Sequence, residues 1–215
     1  MQYLVPKTKC LMCEGEFTKQ GLTRHIKSCL TARLSDKSRA KSKQFYYFNV
    51  SDLFNSNYFL HLLIAEDATL EYFDAFLRNI WLECCGHLSA FSHQRFGDEI
   101  SMKRKIKEVF APDTKLMYQY DFGSTTELSV KNIAIFDGTI EGGKKISLLA
   151  RNAQPQFPCD ECRQKPAVQI CTECQWDDRG WLCEDCAQNH ACGDEMFLPV
   201  VNSPRTGVCG YAGPE

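Results

Sequence analysis

The stretch from Cys159 to Cys192 restricts this chain more than any other. It carries three Cys-x-x-Cys pairs, Cys159/Cys162, Cys171/Cys174 and Cys183/Cys186, followed by His190 and Cys192. Each pair can aim two thiolates at one tetrahedral ion, so these eight soft ligands make two closed four-ligand sites of the kind zinc occupies. Equal eight-residue spacers between the pairs favour cross-bracing. Cys159 and Cys162 then share an ion with Cys183 and Cys186, while Cys171 and Cys174 take His190 and a last thiolate, Cys192 or the spare Cys209. A sequential arrangement, with Cys159, Cys162, Cys171 and Cys174 on one ion, is the alternative. The odd total of thirteen cysteines argues for reduced thiols rather than a disulfide framework.

The order of these pairs and of His190 resembles a B-box or a related cross-braced treble-clef module, which implies a module that binds proteins. The N-terminus repeats the theme with Cys10/Cys13, eleven residues, His25, three residues and Cys29. Phe17 and Leu22 stand where a ββα finger keeps its small apolar core. Residues 22–29 read as the helix, which puts His25 and Cys29 on one face. This segment resembles the ββα zinc-finger family in its Cys, Cys, His, Cys variant. Gly21 falls at a usual base-reading position without a side chain to read with, so base-specific contact is not expected. Lys19, Arg24 and Lys27 are the candidates for contact with nucleic-acid phosphates. The expected metal content is three zincs per chain.

Net charge is only −2, but it is unevenly spread: +7 over residues 1–44, −4 over 45–150 and −5 over 151–215. A basic end on an acidic body points to a polyanion, or an acidic partner surface, meeting the N-terminus. No run approaches the roughly eighteen apolar residues of a membrane span, and the first ten residues lack a signal-peptide core. A cytoplasmic chain that does not enter the membrane is expected. Residues 31–44 alternate small and basic side chains without apolar periodicity and read as a basic linker.

Residues 45–155 hold the conventional core. Apolar runs at 45–50, 58–65, 115–121, 127–135 and 145–149 read as strands, with a further strand at 87–92 and a last hairpin at Gly142–Gly143. Between them Thr69 can cap a helix in which Leu70, Phe73, Phe76, Leu77, Ile80 and Trp81 follow helical spacing. A shorter helix is expected over 102–110. Cys84 and Cys85, being adjacent, read as core thiols. The expected fold is α+β, with a central antiparallel sheet and packed helices, flanked by the finger (residues 1–30) and the cysteine-rich module with its tail (residues 156–215).

Thr69-Leu-Glu-Tyr-Phe73, Trp81, Gly86-His-Leu-Ser-Ala-Phe91 and Leu116-Met-Tyr-Gln-Tyr-Asp-Phe-Gly123 together resemble the plasmid pRiA4b ORF-3-like family, passenger proteins of insertion elements. The resemblance covers residues 45–152. It implies a compact α+β fold and a mobile-element setting, but no reaction. The candidates for chemistry in this region are His61, His87, His93, Asp121 and Glu127, and no spacing ties any two of them to one metal. The function these features favour is a zinc-binding, non-enzymatic adaptor whose partner is protein or nucleic acid. The alternative is an enzyme with a site near His87 and Asp121.

Overall fold

In the computed structural model, which describes residues 7–34, 43–138 and 144–214, the first cysteine pair lies between strands β1 (Thr8–Lys9) and β2 (Glu16–Phe17), and helix α1 (Lys19–Leu34) follows. Leu22, Ile26, Leu30 and Leu34 are all buried, and their four-residue spacing sets them in one stripe along the helix. The helix is twice as long as the expected 22–29. It takes in residues 31–34, which had read as the start of a linker; residues 35–42 of that linker, like the Gly142–Gly143 hairpin, lie outside the described residues.

The chain then enters β3 (Lys43–Asp52), β4 (Phe59–Ala65) and helix α2 (Leu70–Leu77), whose Thr69 Oγ1 accepts from the Tyr72 N–H at 3.2 Å. It continues through β5 (Ser89–Ser92), β6 (Glu99–Ile100), α3 (Ile106–Val109), β7 (Lys115–Tyr120), β8 (Thr126–Gly138) and β9 (Ile146–Arg151). The expected 102–110 helix is thus a single turn. This is a mixed α/β protein whose central antiparallel sheet runs in the order β6-β5-β7-β8-β3-β4-β9.

Both faces of that sheet are covered, which explains why every residue of β4 is buried. On one face the α1 stripe packs with Phe45, Tyr47, Phe59, Leu63 and Leu149. On the other an aromatic chain runs from Phe110 to Phe48, Phe73, Phe91 and Tyr118, with ring centroids 4.7 to 5.6 Å apart. Cys10 is buried in the α1 cluster, and the Leu11 N–H donates to the Leu149 carbonyl at 2.8 Å. The finger is therefore not a separate bead. It belongs to one compact unit, residues 1–76, 89–120 and 127–153, with the sheet.

A second unit comprises residues 77–88, 121–126 and 154–215. After α2 its backbone makes one π-type turn, Arg78–Leu82, closed by the Glu83 N–H on the Arg78 carbonyl at 2.9 Å. Its later part holds β10 (Gln169–Cys171), β11 (Trp181–Leu182), helix α4 (Glu184–Gln188) and β12 (Phe197–Pro199), with strand order β11-β10-β12. Cysteines supply most of the core here, joined by Leu182, Ala187, Met196 and Phe197. At Gly180 a Cβ would stand 2.4 Å from the Gln175 backbone, so no other residue fits that crossing. The tail is tied by Arg205, fully buried, which donates to Asp121 Oδ2 at 2.6 Å, the Ser124 carbonyl at 3.0 Å and Thr126 Oγ1 at 3.2 Å.

Because the α1 stripe is sheet core and not merely finger core, Ile26→Ala is expected to destabilise the sheet unit by roughly 2–5 kcal/mol. Denaturant unfolding followed by hydrogen exchange at β3 and β4 checks this. An unchanged exchange of those strands would mean that the finger folds independently of them.

Candidate metal centres

Four groups of four Cys/His side chains bring their ligand atoms within 4.8 Å of one another: Cys10, Cys13, His25, Cys29; Cys159, Cys162, Cys183, Cys186; Cys171, Cys174, His190, Cys192; and Cys84, Cys85, His87, Cys209. None of the thirteen cysteines is in a disulfide.

In the first group the ligands come from the β1–β2 knuckle and from successive turns of α1. The Glu14 N–H donates to the Cys10 carbonyl at 2.7 Å with Glu14 in the left-handed region, φ 64°. Cys159 repeats the same turn: the Arg163 N–H reaches its carbonyl at 3.0 Å, with φ 55° at Arg163. In both knuckles the residue four after the first cysteine turns the chain back so that the pair faces one point. Cys13 Sγ lies 3.2 Å from His25 Nε2, whose ring stacks on Phe17 at 3.7 Å between centroids.

The second and third groups share the C-terminal module. The structure joins Cys159/Cys162 with Cys183/Cys186, and Cys171/Cys174 with His190 and Cys192, which is the cross-braced arrangement and not the sequential one. Cys183 caps the N-terminus of α4, and its carbonyl takes the Ala187 N–H at 2.9 Å. The Cys162–Cys183 and Cys174–Cys192 sulfurs are 3.8 and 3.7 Å apart. Two thiolates about 2.3 Å from one tetrahedral ion stand about 3.8 Å apart. His190 Nε2 is buried without a hydrogen-bond partner among the described residues, and coordination through that nitrogen would satisfy it.

The thiols of the second group are not equivalent. The Gln164 and Lys165 backbone N–H groups draw Cys162 down to about 6, whereas hydrogen bonding to the Cys183 thiol, together with burial, pushes Cys186 up to about 12. Four thiols this close cannot all ionise beside one another; a divalent cation removes that conflict by stabilising every thiolate at once.

The fourth group corrects the reading of Cys84 and Cys85 as core thiols. Cys84 is only partly buried and Cys85 is exposed, and Cys209 lies here rather than with Cys171. Gly86, at φ 78°, is what lets Cys85 and His87 face the same point. The signal in the sequence was Cys84-Cys85-Gly86-His87 itself, but its fourth member is more than a hundred residues away.

Of the candidate catalytic residues, His87 and Asp121 come within 3.5 Å of each other, and the other three sit in separate surroundings. His61 is buried on the Tyr47 hydroxyl, with Nδ1 at 2.7 Å. His93 is exposed. Glu127 takes a two-pronged contact from Arg95, at 2.7 Å from Nε and 2.6 Å from Nη2. Burial pushes the Asp121 carboxyl up, but the Arg205 guanidinium and the Gly123 and Ser124 amides outweigh it and hold the group below the usual range. His87 Nε2 is 3.5 Å from Asp121 Oδ2, farther than from either Cys85 Sγ at 3.0 Å or Cys209 Sγ at 3.2 Å. Of the candidate phosphate contacts, Lys19 bonds the Ser56 carbonyl and lies 5.4 Å from the Phe59 ring, while Arg24 and Lys27 are exposed.

Burial lowers the His61 imidazole from its ordinary 6.5 to about 4. The unfolded chain therefore binds a proton that the folded one does not between those values, and stability contributed by neutral His61 is present above about pH 6.5 and lost as pH falls toward 4. Replacement by Asn should flatten the acid limb of the stability curve relative to the native chain by on the order of 1.4 kcal/mol per pH unit at most. Separately, if Cys159, Cys162, Cys183 and Cys186 hold a structural zinc, which contributes on the order of 10 kcal/mol of folding free energy, Cys186→Ser should unfold residues 156–200 while β3 and β4 stay protected from exchange.

No family model matches the sequence, and no curated protein matches it. A solved structure, that of a protein of unknown function from Methanosarcina mazei Go1, is similar at 18% identity over 52% of this chain and 70% of that one, with a TM-score of 0.45. A likeness at that level carries no argument about function.

Proposed function

We propose that this chain is a non-enzymatic binding protein in which zinc, held by Cys10, Cys13, His25 and Cys29, by Cys159, Cys162, Cys183 and Cys186, and by Cys171, Cys174, His190 and Cys192, does structural work. The observation that carries the proposal is the composition of each cluster. Each offers four protein ligand atoms within 4.8 Å, so a tetrahedral ion has no open position for water or substrate. The enzyme alternative near His87 and Asp121 is disfavoured because Arg205 occupies the Asp121 carboxylate. Thirteen cysteines without a disulfide suit a reducing compartment such as the cytoplasm, and no helix among the described residues is long and apolar enough to cross a membrane.

Protein is the partner class the geometry favours. In the second unit Trp176 is 80% exposed and lines an open groove of about 730 Å³ with Thr172, Gln175, Leu198 and Val208. An aromatic held out to solvent beside a groove is a characteristic anchor for a protein partner. Nucleic acid is the second reading, favoured by exposed Arg24 and Lys27 on α1 and the positive charge of residues 1–44. The pRiA4b ORF-3-like resemblance adds a mobile-element setting to the proposal, to be checked in the genes beside this one.

Elemental analysis of single variants tests the zinc assignment. Cys29→Ser, Cys174→Ser and Cys186→Ser should each lose at least one zinc relative to the native chain; any variant that keeps the native content removes its cluster from the proposal. For the second reading, removing residues 1–44 would also remove α1 from the sheet, so the variant to use is Arg24→Glu with Lys27→Glu. Weak, salt-steep retardation of mixed-sequence DNA that this variant abolishes supports nucleic acid. Retardation that survives the variant moves the nucleic-acid contact elsewhere on the chain, whereas none in the native chain leaves protein as the partner class.

A further inference from the structure

Cys84, Cys85, His87 and Cys209 are not explained by the two modules that the spacing of the cysteines marks out. Their geometry is that of a coordination shell. The Cys84–Cys85 and Cys85–Cys209 sulfurs are each 3.7 Å apart, close to the roughly 3.8 Å edge of a tetrahedron of thiolates around zinc and far beyond the roughly 2.05 Å of a disulfide. His87 Nε2 completes the group, at 3.0 Å from Cys85 Sγ and 3.2 Å from Cys209 Sγ.

Each half of the cluster is held in place by contacts that do not involve the sulfurs. On the first half, Arg78 pairs with Glu83 at 2.7 Å and also bonds the His87 carbonyl, and Glu83 Oε1 accepts the Gly86 N–H at 2.6 Å. Those contacts close the turn through Gly86. On the second half, Ser203 Oγ donates to the Trp81 carbonyl and Arg205 is clamped by Asp121, Ser124 and Thr126. Beyond Arg205 the backbone is left-handed at Gly207, Cys209 and Gly210, φ 78°, 52° and 68°, and Tyr211 is buried again. The non-glycine Cys209 is thus kept in an uncommon conformation between two anchored residues, with its sulfur facing His87. The Arg205 guanidinium also reaches Cys84, placing a fixed positive charge behind one thiolate as outer partners of metal ligands commonly do.

We infer that these four side chains form a fourth zinc site, which staples the C-terminal tail to the turn after the π-type segment. It differs from the other three in one respect. Each of those has a buried cysteine, whereas here none is buried and Cys85 and Cys209 are both exposed. Access of solvent and competing ligands is therefore greatest here, and this zinc exchanges first.

The experiment uses the full chain purified without chelator. Zinc is measured in the native protein, in Cys209→Ser and in His87→Ala, with far-ultraviolet circular dichroism on each. The expected result is one equivalent less in both variants with unchanged secondary structure. A native total below four with that one-equivalent difference intact supports this site and counts against one of the others. Equal zinc in native and variant proteins overturns the inference. A second measurement needs no variant: alkylation mapped by mass spectrometry during titration with a chelator. Cys85 and Cys209 should be protected at full zinc content and become the first cysteines modified as the first equivalent leaves. Their complete modification with no loss of zinc overturns the inference independently.

Discussion

The convergence of thiols on a few points is the constraint on which the second unit depends. In its cysteine-rich part the core is made largely of Cys159, Cys162, Cys171, Cys174, Cys183, Cys186 and Cys192, with only a handful of aliphatic and aromatic neighbours, while Trp81, Leu82, Ile170 and Tyr211 are buried elsewhere in the unit. Such a core offers little apolar area for the hydrophobic effect, and small domains of this kind need a metal or a covalent link. The strands β10, β11 and β12 are two or three residues long, too short to stand without the clusters they carry. If the clusters hold metal as proposed, sheet and helix here would be consequences of coordination, where in the first unit it would be an addition to a sheet that already has two covered faces.

How far the sequence could be read follows from how local each constraint is. A Cys-x-x-Cys turn is a local object, so the three pairs and the finger were legible one by one, and the equal spacers favoured the pairing that the structure displays. The strands and α2 were legible because their periodicities are 2 and 3.6. Helix α1 was under-read because Leu30 and Leu34 fall beyond the finger's own ligands. Their burial is decided by Phe45, Phe59 and Leu63, which a local pattern does not reveal. Cys84 and Cys85 were misread because the residue that gives them a purpose, Cys209, is separated from Cys85 by 124 positions.

The candidate catalytic groups teach a related lesson about buried charge. Asp121 and Glu127 stood among the candidates for chemistry. Each is met by a guanidinium, and a carboxylate so paired is costly to break and poorly placed to exchange protons with a substrate. The partners, Arg205 and Arg95, lie 84 and 32 positions away, and nothing in their flanking residues announces the pairing.

The second unit is assembled from three separate stretches of chain, and this has a consequence for biosynthesis. When the pair at Cys84 and Cys85 leaves the ribosome, the sulfur that completes its shell has not been made. At about 5–20 residues per second the interval before Cys209 appears is on the order of ten seconds. For that time the nascent chain presents two adjacent thiols with a histidine two residues on, an open chelator facing whatever soft cations and thiol reagents surround it. If all four clusters take metal as proposed, the order in which their ligand sets can be completed follows the order of translation: the finger first, then the cross-braced pair, and the tail's cluster last.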